Sequence, residues 1–321
     1  LQKPLAPLNL LKYLEVVTLE RMRTFVRVVE RGSLSAVARD LGIGQASVSR
    51  HVQELEQAVG IPLLSRTTRR VTLTEEGAGY YANCIQILRL VEQAGEEALS
   101  ARGAASGTIR VSCSAALGVL HITRLIFAFQ DRYPDIHIDL SLTDERIDLV
   151  GEGVDIALRL GPLTDSSMRL RALGQSQRLM VAAPAYLARW GRPKAPRELR
   201  DHQCIRMSNI SGSDMLLLSS YQEEWQAVPF DGTLRVDHGL AAREALVAGR
   251  GLGAAHRWLV EDLLAEGRLE PILSGWTPSP VPLNMLILPE RGQLARVRLL
   301  IDFLCDQIAT LPGLERSVRG D

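Results

Sequence analysis

Two glycines in three residues, Gly42-Ile43-Gly44, divide two short amphipathic segments, and this break constrains the N-terminal part of the chain more than any other feature. Before it, Leu34, Val37, Ala38 and Leu41 recur at helical spacing for only two turns, with Ser33 placed to cap them. After it, Val48, Val52, Leu55 and Val59 form the inner stripe of a longer helix that should stop at Gly60. A first helix precedes both, carried by Met22, Phe25, Val26 and Val29 and ending near Gly32. Two short helices joined by a glycine-bearing turn describe a helix-turn-helix, whose second helix enters a DNA major groove.

The outward face of that second helix is polar. Gln45, Ser47, Ser49, Arg50 and Gln53 lie away from the apolar stripe, and no acid precedes Glu54. Ser65 to Leu73 then reads as a small hairpin, with Arg66, Arg69 and Arg70 falling within five residues as suits a phosphate backbone. The whole chain is neutral, with 37 basic and 37 acidic residues, so an excess of arginine here is local. A polar face beside a basic loop also describes a solvated surface; the ordered succession of helix, short helix, turn, polar helix and basic hairpin favours DNA. Arg50 suits either a bidentate pair to guanine or a phosphate clamp, while Arg69 and Arg70 suit phosphates.

From Glu75 the pattern predicts a long helix to residue 101, with Tyr81, Cys84, Ile85, Leu88, Val91 and Ala98 near heptad spacing. Such a helix either pairs with a second copy or packs on its own domain. Residues 101–107 are small and glycine-bearing, as a hinge would be. Beyond them strand and helix patterns alternate: strands at 108–113, 136–140 and 154–160, helices at 119–132 and 146–152, then a second set between 178 and 255. The segments 281–288 and 294–308 are placed to return to the first sheet. This predicts two α/β lobes with a mainly parallel sheet and a ligand cleft between them.

Several classes are excluded or disfavoured. At 321 residues, with no apolar run of the length a spanning helix needs and no signal-peptide core, the chain reads as a cytoplasmic protein of two or so domains. Cys84, Cys113, Cys204 and Cys305 are far apart and read as buried, reduced thiols rather than a metal or disulfide framework. The six histidines show no metal spacing, and no G-x-S-x-G or Walker loop occurs, so neither a metal nor catalysis is expected. The rival reading is a solute-binding or enzymatic α/β protein whose N-terminal module serves only assembly; sequence-specific DNA affinity through residues 45–70 separates the two.

The words Gly32-Ser33-Leu34-Ser35-Ala36-Val37-Ala38, Gln45-Ala46-Ser47-Val48-Ser49-Arg50, Gly60-Ile61-Pro62-Leu63-Leu64-Ser65-Arg66 and Leu73-Thr74-Glu75-Glu76-Gly77 occur in order. Further on come Tyr133-Pro134, Gly153-Val154-Asp155-Ile156-Ala157-Leu158-Arg159, Ala183-Pro184-Ala185-Tyr186-Leu187 and Gly249-Arg250-Gly251-Leu252-Gly253. Over residues 19–311 the sequence resembles the LysR-type transcriptional regulators. It departs from the family at Gly44, Ala46, Leu34 and Leu64, where serine, proline and two phenylalanines are frequent.

The resemblance implies an α/β multidomain protein. Its parts would be an extension (1–18), a winged helix-turn-helix (19–77), a dimerising linker helix (78–102), a hinge (103–107) and a two-lobed effector domain similar to periplasmic binding proteins. Lobe I would comprise 108–173 and 282–311, lobe II 174–281, and 312–321 a tail. Gln45, Ala46, Ser47, Ser49, Arg50 and Gln53 would face DNA, with Arg66, Thr67, Arg69 and Arg70 in support. Ser114, Ala115, Ala116, Thr143, Ser208, Asn209, Gly253 and His256 would line the effector cleft. No cofactor is implied beyond a small organic effector; hydroxyls and helix-start amides suit an anionic group, although helix capping accounts for Ser114 and Thr143 as well. Implied partners are double-stranded DNA bearing an interrupted dyad near a promoter and further copies of this chain as a homodimer and homotetramer. RNA polymerase is a candidate partner.

Overall fold

Three helices open the fold, each closed by a glycine in the left-handed region: α1 (Leu19–Arg31), α2 (Leu34–Leu41) and α3 (Gln45–Val59) end at Gly32, Gly42 and Gly60. At Gly42 φ is 66°, a conformation that lets the chain turn directly into Gly44 and α3. The Thr18 and Ser33 hydroxyls cap α1 and α2 by accepting from the Arg21 and Ala36 N–H groups. Phe25, Val28, Val37, Val48, Val52, Leu55 and Leu63 are fully buried together and form the core of this head. The computed structural model describes residues 13, 15–66, 71–100, 105–145, 149, 151–162, 168–208, 214–220, 224–289 and 291–315.

A two-stranded antiparallel hairpin follows, β1 (Leu64–Arg66) with β2 (Val71–Leu73), in the register Leu64 to Leu73. It leads into the long helix α4 (Glu75–Ser100). Tyr80, Tyr81, Ile85 and Leu88 pack on the head core around buried Cys84, and Phe25 meets Tyr80 and Tyr81 at ring distances of 5.7 and 6.4 Å. Packing on its own domain therefore accounts for the first half of α4. Ile87, Leu90 and Val91 remain exposed, Leu90 at 62%.

Thr74 and Gly77 join hairpin and helix. The Thr74 hydroxyl donates to the Pro62 carbonyl (2.8 Å) and accepts from the Gly77 N–H (2.9 Å), while the Thr74 N–H donates to the Leu63 carbonyl (3.1 Å). A Cβ on Gly77 would collide with that same Leu63 oxygen.

The described residues fall into two compact units, one running to residue 100 with 149 and 151–153, the other spanning 105–145 and 154–315. The described part of the helix expected at 146–152 is turn. In the second unit, lobe I is a six-stranded sheet in the order β16-β6-β15-β5-β3-β4. Its strands are β3 (Gly107–Cys113), β4 (Ile136–Leu142), β5 (Ile156–Leu160), β6 (Arg169–Ser176), β15 (Val281–Ile287) and β16 (Leu314–Glu315). Helix α5 (Thr123–Arg132), which continues an α-turn at Ala115–Leu117 and a π-helical stretch at Gly118–Ile122, covers the sheet with α9 (Ala295–Ile308).

The sheet is mixed, not mainly parallel: only β3 pairs in parallel, with β4 and β5, while β15 runs antiparallel to β5 and β6. The chain leaves lobe I on β6 and returns on the adjacent β15, so those two strands must run in opposite directions. Because β6 continues to Ser176, residues 174–176 belong to the lobe I sheet rather than to lobe II. Likewise β16 pairs with β6, so residues 314 and 315 are a sheet edge and not part of a tail.

Lobe II holds β7 (Arg178–Ala182), β8 (Arg206–Met207), β9 (Met215–Ser219), β10 (Gln226–Pro229), β11 (Arg235–Val236), β12 (Leu252–His256), β13 (Glu270–Pro271) and β14 (Thr277–Pro278). They form the small sheets β12-β7-β13, β10-β9-β14 and β8-β11. Helices α6 (Pro184–Trp190), α7 (Gly239–Val247) and α8 (Arg257–Ala265) complete it. Asp155, fully buried in lobe I, bonds Arg291 at 2.6 Å and accepts from the Arg110 N–H at 2.8 Å. This acid of the Gly-Val-Asp-Ile-Ala word thus ties strands together. Burial pushes its carboxyl up, against the pull of Arg291.

Gly77→Ala is expected to lower the stability of the head by about 1 to 3 kcal/mol, the usual cost of forcing atoms into a filled contact. A lowered urea midpoint for the head is the readout; an unchanged midpoint contradicts the contact.

Candidate functional site

Helix α3 presents Gln45, Ala46, Arg50 and Gln53 to solvent, with Ser47 and Ser49 partly covered. Gln57, one turn beyond Gln53, is exposed on the same face; helical periodicity alone would have found it. Arg50 forms no ion pair with a described residue. Both acids of α3 are engaged within the head: Glu54 bonds Arg21 at 2.5 Å, and Glu56 accepts from the Leu63 and Leu64 N–H groups at 2.9 and 3.1 Å. A third acid, Asp40, bonds Arg31 at 2.8 Å. Arg50 is the exposed cation of this polar face. Gly44 supplies no side-chain cap to α3. Arg66 lies in β1 by its backbone, while Thr67, Arg69 and Arg70 lie outside the described residues.

On its inner side α3 is held to α1 by His51, whose Nδ1 is 3.1 Å from the Thr24 hydroxyl. That hydroxyl donates to the Glu20 carbonyl, so it accepts from His51.

In the second unit, Ser114, Ala115, Ala116 and Thr143 gather at the ends of β3 and β4. Ser114 begins the helix without a side-chain cap bond. The Ala115 N–H donates instead to the Asp144 carboxylate at 3.1 Å, and the Thr143 hydroxyl accepts from the Glu145 N–H at 3.1 Å. Ala115 and Ala116 are buried. Across the lobes, a Cβ on Gly239 at the start of α7 would lie 3.0 Å from the Ala116 Cβ, so the two lobes touch there. Ser208 is exposed, its N–H donating to the Val236 carbonyl at 2.7 Å. Asn209 lies outside the described residues.

Gly253 and His256 are placed differently. Gly253 is buried beneath Leu246 of α7. His256 stands at the crossover between lobes, its Nδ1 2.8 Å from the Ser176 hydroxyl and its ring stacked on Trp258 at 5.2 Å. The Trp258 indole N–H donates to the same hydroxyl at 2.9 Å, and His121 of lobe I reaches the Trp258 carbonyl at 2.9 Å. Ser176, Trp258, His121 and Asp144 escaped the sequence reading, although a buried indole N–H requires a partner. Arg178, opposite His256 in the β7–β12 register, donates to the carbonyl and hydroxyl of Ser279, joining the two strands that cross between lobes. Burial, with the Arg178 guanidinium beside it, pushes the His256 pKa down to about 3.

Three of the four thiols are buried and held protonated. Burial raises Cys84 to about 11 and Cys113 and Cys204 to about 12. Cys305, expected to be buried, is only partly so. Among the described residues no cluster of His, Cys, Asp and Glu could hold a metal ion, and no helix is long and apolar enough to cross a membrane.

Residues 19–78 match the family described as bacterial regulatory helix-turn-helix protein, lysR family, and residues 102–309 match the LysR substrate binding domain. The chain belongs to the LysR family of transcriptional regulators. The HTH-type transcriptional regulator CrgA of Neisseria meningitidis serogroup C (strain 8013) is 35% identical, covering 90% of this chain and 96% of its own. The HTH-type transcriptional activator AaeR of Escherichia coli K12 is 28% identical, covering 94% and 97%. Among solved structures, the full-length Vibrio cholerae virulence activator AphB matches with a TM-score of 0.61 at 30% identity, covering 90% of this chain and 99% of that one. The CrgA structure from Neisseria meningitidis matches with a TM-score of 0.59 at 32% identity, covering 91% and 99%. This LysR-type regulator is thus a DNA-binding protein with an effector-binding domain, and not an enzyme.

Neutral His256 in the folded regulator sets an acid limit. The unfolded chain takes up a proton near 6.5 and the folded chain only near 3, so this contribution is complete above about 6.5 and is lost progressively as pH falls below it. His256→Gln should flatten the fall in denaturation midpoint between pH 7 and 4.5; a slope equal to that of the unaltered chain contradicts the assignment.

Proposed function

We propose that this LysR-type regulator reads an interrupted dyad near a promoter by laying α3 in the major groove and the hairpin along the phosphates. The observation that carries this reading is the face of α3, where Ala46, Arg50, Gln53 and Gln57 are exposed while Glu54 and Glu56 are bonded within the head. Gln45, Ser47 and Ser49 flank that face. Arg66, Thr67, Arg69 and Arg70 would supply the backbone contacts that fix register without reading bases.

The exposed stripe Ile87, Leu90 and Val91 on α4 supports a homodimer through the linker helix. Two such dimers paired as a tetramer would span both halves of a dyad, with RNA polymerase as a further partner. Operation in the cytoplasm goes with that role.

A small organic effector enters between the lobes, near Thr143, Ser114 and Ser208. An anionic effector must displace the Asp144 carboxylate from the Ala115 amide, so a group that donates to Asp144 fits the same place. Effector binding then shifts a population between two arrangements of the assembly, which requires different affinity for each and a reciprocal effect of DNA on effector binding.

Arg50→Ala is expected to cost about 1 to 3 kcal/mol of discrimination at particular base positions, whereas uniform weakening across sequences would identify a phosphate clamp. Thr143→Val should blunt the effector-dependent change in DNA affinity and Thr143→Ser should retain it. A full response from the valine chain contradicts the role given to the hydroxyl.

A further inference from the structure

Glu56 occupies a position where a carboxylate works against DNA binding. It lies three residues after Gln53 and seven after Ser49, on the same flank of α3, and its charge repels a polyanion brought to that face. What it does instead is internal: one oxygen, Oε1, accepts from the Leu63 N–H at 2.9 Å and the Leu64 N–H at 3.1 Å. Those amides open β1, the first strand of the hairpin. Leu63 is fully buried, and its carbonyl accepts from the Thr74 N–H where the hairpin closes and α4 begins. A single carboxylate thereby fixes the last turn of α3 to the base of the hairpin.

We propose that Glu56 is a positioning residue for DNA recognition: its carboxylate sets the separation and angle between the reading face of α3 and the hairpin, so that both engage one duplex together. The proposal rests on the reading of α3 and hairpin as DNA contacts. Charge-assisted bonds to backbone N–H groups are shorter and stronger than neutral ones, which suits a joint that must not flex. Base reading by α3 and phosphate contact by the hairpin are otherwise independent, and phosphate contacts are counted by the salt dependence of binding.

The test uses the full chain and a duplex enriched by the unaltered chain from a random-sequence library. Glu56→Gln keeps an acceptor oxygen in place but makes the two bonds neutral and weaker, so its affinity and salt slope should lie between those of the unaltered chain and Glu56→Ala, nearer the former. Glu56→Ala should bind at least about tenfold more weakly at 0.15 M salt, with the logarithmic salt slope shallower by about one to two as hairpin phosphate contacts are lost. Should the alanine chain melt below the assay temperature, Glu56→Asp, one methylene shorter, takes its place with the same expectations. A lower melting temperature with unchanged slope and base preference would show a merely structural role and overturn the proposal. A Glu56→Gln chain matching the alanine chain overturns it as well. Arg50→Ala, measured in parallel, separates the two levels: weakened Arg50→Ala with an unaltered Glu56→Ala slope overturns the positioning role alone, and full-strength binding by Arg50→Ala overturns the underlying reading too.

Discussion

The Leu63 carbonyl lies where a side chain on Gly77 would stand, and the organisation of the N-terminal unit depends on that closeness. Around it meet the end of α3, the base of the hairpin and the first turn of α4. Thr74 bonds to both sides of the joint, and Glu56 closes it from α3. Phe25 against Tyr80 and Tyr81 extends the same contact into the head core. Through these bonds the start of α4, the base of the hairpin and the last turn of α3 are held to one another.

The second unit has an analogous joint of different chemistry. Gln177 is the single residue between β6 of lobe I and β7 of lobe II. Its N–H donates to the Gly313 carbonyl at 2.7 Å, and its carbonyl accepts from the Arg257 N–H at 3.0 Å. Ser176 beside it accepts from Trp258 and bonds His256, while Arg178 reaches Ser279 on the returning strand. Any change in the angle between lobes must pass through this set of hydrogen bonds, and a buried polar network of this kind favours discrete arrangements over a continuum. His256 belongs to this joint and Gly253 to packing under α7.

Much of this was legible in the chain. The head was readable because each of its three helices carries a periodic apolar stripe and a glycine stop, and those are local signals. Lobe I was readable as alternating strand and helix, but the antiparallel entry of β15 was not, because its neighbours β5 and β6 lie more than a hundred residues earlier. The short strands β9, β13, β14 and β16 left no period long enough to detect. At the sites, the exposed face of α3 followed from periodicity. The Asp144 bond to the Ala115 amide and the His121-Trp258-Ser176-His256 cluster did not, since each is made by residues from separate elements that only the tertiary fold brings together.

Recognition of particular DNA sequences by the head is measured by retention of genomic fragments on the purified chain at near-physiological salt, followed by sequencing. Enrichment of a few intergenic fragments that share an interrupted dyad is expected. Retention of fragments without sequence preference would contradict it and leave only electrostatic attraction to DNA.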